Sequence, residues 1–255
     1  MGINTVDYWN ILYDQLAIDY CCSPDAVRDG ENHFAEFQFL EGRRTFLEQK
    51  ECYLKITVIN GKLLFTGRSD ILNWCKKQYC KNNGEWFFEA KNMHRLNERI
   101  YLDGYQISSA HPFFIPENEI ALSSDDYDFR WYEADDIEQF RGNSRYQNAF
   151  GFCKKAPDVI GVAAIQNGDT LGMAGASCDS PTMWQIGIDT DKSVRQRGIG
   201  KLLVSMLKKE ILERGILPFY GTGMSHIGSQ NVALGAGFKP AWAELVTEKV
   251  KERGI

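Results

Sequence analysis

No stretch of the 255-residue sequence approaches the run of about eighteen apolar residues that a membrane span requires. The opening residues, Met1-Gly2-Ile3-Asn4-Thr5-Val6-Asp7-Tyr8, lack the basic-then-apolar order of a secretory leader. Val6 also stands where a myristoylation motif wants Ser or Thr. Blocks of Lys and Arg are missing and the formal net charge is -5, so there is no footprint for duplex nucleic acid or an anionic membrane. The seven cysteines form no C-x-x-C pair, and they read as reduced structural thiols. The four histidines, at 33, 94, 111 and 226, lack metal-ligand spacing, and no metal is expected. These absences leave a cytoplasmic globular chain as the expectation.

What is present suggests two modest α/β domains. Residues 116–126 are polar and begin at a proline, which marks a boundary between an N-terminal part (1–120) and a C-terminal part (127–255). In the first part, Val6, Trp9, Leu12, Tyr13, Leu16 and Tyr20 recur at helical spacing. Residues 53–59 and 62–66, joined by Asn60-Gly61, predict a β-hairpin, because Asn-Gly supplies the positive φ angles of a type I′ turn. Helices are predicted from Ser69 or Asp70 to Cys80 and over 89–100, followed by an extended segment to Pro116. The C-terminal part reads β-α-β-β-β-α-β-α-β. Its clearest helix carries an apolar stripe of Ile199, Leu202, Leu203, Met206, Leu207 and Ile211. Lys201, Ser205, Lys208, Lys209 and Glu213 are expected on the opposite face, and Gly215 ends the helix.

The segment entering that helix is the informative one. A strand ending at Ile188-Asp189-Thr190 leads into a loop that closes with Arg195-Gln196-Arg197-Gly198-Ile199-Gly200. The first turn of a helix has unpaired N–H groups and the positive end of the dipole, which suit a phosphate or pyrophosphate. Gly198 and Gly200 lack Cβ atoms that would keep an anion away, and Arg195 and Arg197 can add charge-assisted hydrogen bonds. A Walker A loop is excluded because Leu202 follows Gly200-Lys201. The dinucleotide fingerprint fails because Leu203 stands at its third glycine.

The pattern R-x-x-G-x-G after an apolar strand resembles the GNAT N-acetyltransferase superfamily. Ile188 and Thr190 match the strand end, residues 195–200 match the loop without gaps, and Lys192 stands where proline is usual. Ala233-Leu234-Gly235-Ala236-Gly237-Phe238 is similar to the family's closing A-x-x-x-G-F segment, so the resemblance covers about residues 127–249. It implies a GNAT acyl-CoA N-acyltransferase fold behind a smaller mixed α/β domain that shapes the acceptor site or is accessory. It also implies acetyl-CoA as co-substrate and direct attack by a primary amine. Residues 188–190 would offer main-chain hydrogen bonds to the pantetheine arm, and one N–H there would polarise the thioester carbonyl. Ser229 and Asn231 would contact the cofactor.

The acid and base are where the sequence departs from the family. The position that often carries the acidic tyrosine is Ala233, which leaves Tyr220 and His226 as candidates. His226 also replaces an asparagine common in relatives. No glutamate enters the loop, since Trp184 and Gln185 stand there. Glu133, Asp135, Asp179 and Glu244 are candidate pocket carboxylates, each read first as a solvated residue. A covalent role for Cys178 is the less favoured reading, because an amine can attack directly. Two functions therefore stay open. One is an enzyme acting on an amine, a small molecule rather than a protein. The other is a non-catalytic CoA-binding module with a degenerate site. A homodimer is compatible with either.

Overall fold

The computed structural model describes residues 5–44, 51–120, 123–194 and 197–251. Along the chain these form α1 (Thr5–Asp19), α2 (Pro24–Arg28), β1 (His33–Glu36), β2 (Leu54–Ile59), β3 (Lys62–Gly67), α3 (Ser69–Tyr79), α4 (Ala90–Tyr101) and β4 (Tyr105–Pro116). There follow β5 (Asp128–Glu133), α5 (Ala134–Ile137), β6 (Asp158–Gln166), β7 (Asp169–Cys178), β8 (Met183–Thr190), α6 (Ile199–Glu213), β9 (Leu217–Gly221), α7 (Ile227–Gly235) and β10 (Phe238–Lys249). From β5 onwards this is the order read from the sequence. The Asn60-Gly61 turn takes the predicted backbone, with φ of 49° and 76°, and Asn167-Gly168 between β6 and β7 is alike at 52° and 84°.

The chain divides into two compact units that interleave in sequence. One comprises Met1–Ile11 and Phe114–Pro240, the other Leu12–Phe113 and Ala241–Ile255. The C-terminal residues join the second unit because β10 pairs antiparallel with β2, setting Glu244 opposite Thr57 and Leu245 opposite Ile56.

In the first unit the strands lie in the order β9-β8-β7-β6-β5. One face carries α6, whose stripe Ile199, Leu203, Leu207 and Ile211 packs on Ile160, Val162, Ala174 and Ile186. Each such side chain taken from water contributes about 1.5–3 kcal/mol. Gly215, at φ 79°, ends the helix. The opposite face is covered by Tyr132, Ile137, Tyr146, Ala149 and Phe150 around Met173 and Ala163.

Two polar residues of α6 depart from the solvated face expected of them. Ser205 and Lys208 are buried, with 6% and 3% of their surface exposed. The Ser205 hydroxyl donates to Ile120 O at 3.0 Å, and Lys208 Nζ donates to Asn118 O at 2.6 Å and Ala236 O at 2.7 Å. The segment preceding β5 lies on this face of the helix and supplies the carbonyl partners that make burial tolerable.

In the second unit the order is β1-β3-β2-β10. β1 and β3 run parallel, whereas β2 and β3 form the hairpin. One side is apolar, with Phe65, Tyr79, Phe87, Leu96 and Ile100 packed together. The other holds charges. Arg44 Nε donates to Asp19 at 2.5 Å, Arg44 Nη2 also pairs with Glu244, and Lys55 lies 3.9 Å from Glu244. Asp19, Arg44, Lys55 and Glu244 are all at most 2% exposed. Glu244 is therefore a buried structural carboxylate, not a solvated residue or a pocket base. Trp242 Nε1 donates to it at 2.9 Å.

Candidate functional site

The sheet of the first unit opens at one place. β8 pairs with β9 in parallel only from Met183–Leu217 to Ile186–Tyr220. Its antiparallel pairing with β7 continues four residues further, to Thr190 opposite Gly172. Over residues 187–190 the β9-facing edge of β8 thus lies outside the ladder, leaving main-chain N–H and C=O groups for another partner.

Beyond Thr190 the chain makes a short turn. Asp191 N donates to Leu171 O at 2.8 Å, and the Asp191 carboxylate accepts from Ser193 N and the Ser193 hydroxyl at 2.9 and 2.7 Å. Gly198 caps α6 in the left-handed region, at φ 82°. A Cβ at Gly198 would meet nothing within 4 Å among the described residues, so there is space beside it. The fifteen-residue α6 then presents its first-turn N–H groups and its dipole to that space. A phosphate fits these features, since it needs donors, positive potential and room.

The predicted cofactor residues do not all present side chains to this opening. Ile188 packs on the apolar core and Ile199 is buried in it, so both can contribute main chain only. Gly200 is buried too. A Cβ there would make ordinary contact with Val232 and Thr190, at 3.4 and 3.6 Å, so this position faces α7 and β8. The Asp189 carboxylate is engaged elsewhere, accepting from Asn148 N at 2.8 Å, Ala149 N at 2.9 Å and Asn148 Nδ2 at 2.6 Å. Arg197 is exposed, while Arg195 and Gln196 lie outside the described residues.

Two candidates meet. The Tyr220 hydroxyl, at the last β9 position paired with β8, lies 2.9 Å from Ser229 Oγ on α7. Tyr220 is 2% exposed and Ser229 is half-buried, so Ser229 is the solvent-side end of the pair. Burial raises the Tyr220 pKa, the hydrogen bond to Ser229 works against that, and the negative charge of Asp189 adds to it. At neutral pH Tyr220 keeps its proton. His226 and Asn231 are exposed, and His226 caps α7 with no side-chain hydrogen bond to the helix.

The other titratable candidates have different partners. Glu133 pairs with Arg214 at 2.7 Å, and Asp179 accepts from Ser177 at 2.6 Å. Cys178 faces Trp184, six residues before Thr190 on β8 and about 20 Å away at the rise of a strand. Burial pushes its thiol pKa up, the reverse of what an enzyme nucleophile needs. Among the described residues no group of His, Cys, Asp and Glu is placed to hold a metal, and no helix is long and apolar enough to cross a membrane.

Residues 117–238 match the model of the Acetyltransferase (GNAT) family. This segment is a GNAT acetyltransferase domain. Among solved structures, a GCN5-related N-acetyltransferase-like protein from Streptococcus suis aligns at 13% identity over 96% of this chain and 100% of its own, with a TM-score of 0.47. A GNAT-family acetyltransferase from Colwellia psychrerythraea aligns at 13% identity over 98% and 99%, with a TM-score of 0.46. No curated protein matches the sequence. The matched segment contains the loop on which the sequence resembles the family.

What sequence reasoning passed over is the segment around Asn148. Three mid-strand glycines, at 161, 175 and 187, were a usable signal. Glycine inside a strand often marks the close approach of another backbone.

Proposed function

We propose that the GNAT domain transfers an acetyl group from acetyl-CoA to the primary amine of a small molecule. The observation that carries this reading is the continuity between the open edge of β8 at residues 187–190 and the Gly198-capped start of α6. The edge suits an extended, amide-bearing arm such as pantetheine, and the helix start suits the pyrophosphate.

In this reading the uncharged amine attacks the thioester carbonyl carbon, and a main-chain N–H of residues 188–190 stabilises the developing oxyanion. The C–S bond then breaks. The leaving sulfur takes a proton from the Ser229 hydroxyl as Ser229 takes one from Tyr220, and water takes the surplus proton of the amine and returns one to Tyr220 through Ser229. Tyr220 is the acid and the half-buried Ser229 its solvent-side outlet. The exposed His226 is left as a contact of the cofactor. No side-chain nucleophile or metal enters these steps. The formal charge of -5 is compatible with a cationic acceptor, and acetyl-CoA use fits a cytoplasmic setting.

Calorimetry with acetyl-CoA, followed by release of free CoA over a panel of polyamines, amino acids and aminoglycoside-like amines, tests the reading. Saturable binding with amine-dependent CoA release is expected. Binding without release under any amine would favour the non-catalytic module, a reading that Ala233 supports by leaving the usual tyrosine position empty of a hydroxyl. Absence of acetyl-CoA binding would overturn both.

A further inference from the structure

The strands β6, β7 and β8 carry Gly161, Gly175 and Gly187 directly opposite one another. A Cβ at any of them would overlap residues 148–150: Phe150 at Gly161, Ala149 O and Phe150 at Gly175, Asn148 O at Gly187. The main chain of Asn148 and Ala149 therefore lies on Gly187 and Gly175, and the Phe150 ring covers Gly175 and Gly161, along a track of glycines across three strands. Two carboxylates hold it there. Asp189 takes the N–H groups of Asn148 and Ala149 together with Asn148 Nδ2, and Asp158 takes those of Gly151 and Phe152 at 3.1 and 2.7 Å.

This arrangement bears on the open edge, because side chains alternate across a strand. Gly187 and Asp189 face the glycine-track segment. Ile188 and Thr190 face α6, where Ile188 joins the core and Thr190 lies beside Gly200. The stretch of β8 that has lost its β9 partner is thus gripped on both faces. One grip is apolar packing, and the other is a carboxylate with three N–H donors. An unpaired strand edge held this way keeps its main-chain groups in one orientation before any ligand arrives.

We propose that Asp189, through Asn148, is a positioning residue that holds residues 187–190 of β8 open for the pantetheine arm of the acyl donor. The proposal rests on the acetyl-CoA reading above and adds a side chain that touches neither donor nor acceptor. Its side chain acts on the orientation of the main chain beside it.

Three variants test it: Asp189→Ala, Asp189→Asn, and Asp189→Asn combined with Asn148→Asp. Alanine removes all three acceptor contacts. Asparagine can keep the two main-chain bonds and loses the one to Asn148 Nδ2. The double variant restores that bond with donor and acceptor exchanged. Acetyl-CoA affinity should fall by about tenfold in Asp189→Ala, less in Asp189→Asn, and return near the parent in the double variant. Affinity for adenosine diphosphate, which has the pyrophosphate but no pantetheine arm, should stay within about twofold, whereas a general loss of structure would weaken both ligands. Unchanged acetyl-CoA affinity in Asp189→Ala, or failure of the exchange to restore it, overturns the proposal. Amide hydrogen exchange at residues 188–190 of the ligand-free protein is an independent measurement. It should speed up in Asp189→Ala, and equal protection in parent and variant also overturns the proposal. A parent that binds no acetyl-CoA yet shows the faster exchange would instead defeat the donor assignment and leave the grip on β8 standing.

Discussion

The two units solve one problem by different chemistry. Each must cover both faces of its strands, and each covers one face with apolar side chains. On the remaining face the first unit adds to its apolar cluster the main chain of Asn148 and Ala149, laid on Gly187 and Gly175, and satisfies N–H groups there with Asp189 and Asp158. The second fills that face with Arg44, Lys55, Asp19 and Glu244. Main chain on glycine fixes a backbone position closely, which a binding edge needs. Buried charges specify partners but are costly to break. Changes in the second unit should therefore register as stability, and changes around the β8 opening as binding or turnover.

The largest expected effect follows from breaking the charged layer. Arg44→Met keeps volume and leaves Asp19 and Glu244 without the guanidinium that pairs with both. It should cost about 3–5 kcal/mol in urea unfolding. Lys209→Met, at an exposed side chain, should change stability by no more than about 0.5 kcal/mol. Equal midpoints for the two variants would mean that the buried charges do not hold this face. The parent should also show an acid limb. Burial raises the Asp19 pKa, but the charges of Arg44 and Lys55 outweigh it, so the folded value lies below 3.8. A depressed carboxylate contributes stability above its unfolded pKa and loses it as pH falls through the folded value. That limb should flatten in Arg44→Met.

Next in size is Tyr220→Phe. It removes one hydroxyl from the buried pair with Ser229, at a stability cost of about 1 kcal/mol. If Tyr220 is the acid, turnover should fall by about 10² while acetyl-CoA affinity holds. This sharpens the contrast between units, because a buried polar group of the first should cost rate far more than stability. A parent-like rate and pH profile would remove Tyr220 from the mechanism.

These assignments also mark how far the sequence could be read. The hairpin turns, the stripe of α6 and the loop ending in Gly198 were legible because they depend on neighbours within a few residues. Glu244, Lys208 and Ser205 were misread because their partners are distant in the chain. Glu244 meets Arg44 across 200 positions, and Lys208 meets Asn118 across 90. A lone lysine on a helix face looks solvated until a segment with carbonyls to spare is laid across it. The pairing of Tyr220 with Ser229 is only nine positions apart. It was still hidden, because it depends on how α7 packs against the end of β9. Asp189 was placed at the site for its main chain, and its side chain turned out to face the other way.

Gly198→Val comes third. Its φ of 82° costs a branched residue about 1–2 kcal/mol, and the side chain would enter the space beside it. Acetyl-CoA affinity should fall at least about tenfold, which corresponds to about 1.4 kcal/mol. Gly198→Ala carries a similar backbone penalty with less bulk, so the excess loss in valine reads the anion space alone. Equal calorimetric affinity for parent and valine variant would sink the phosphate assignment.

The smallest effect is expected at His226, and its smallness is informative. His226 is exposed at the start of α7, and its described role there is main-chain, N–H to Gly223 O at 3.0 Å. Asparagine keeps that bond and is a good residue for a helix cap. His226→Asn should therefore leave stability within about 0.5 kcal/mol and turnover within about twofold. An imidazole acting in proton transfer would behave otherwise, because its loss would lower turnover and change the shape of the pH–rate profile. Paired pH–rate profiles of His226→Asn and Tyr220→Phe separate the two candidates. An inflection that survives in His226→Asn and disappears in Tyr220→Phe leaves the proton route with the buried pair. The reverse outcome would move the acid from the buried end of β9 to the exposed start of α7.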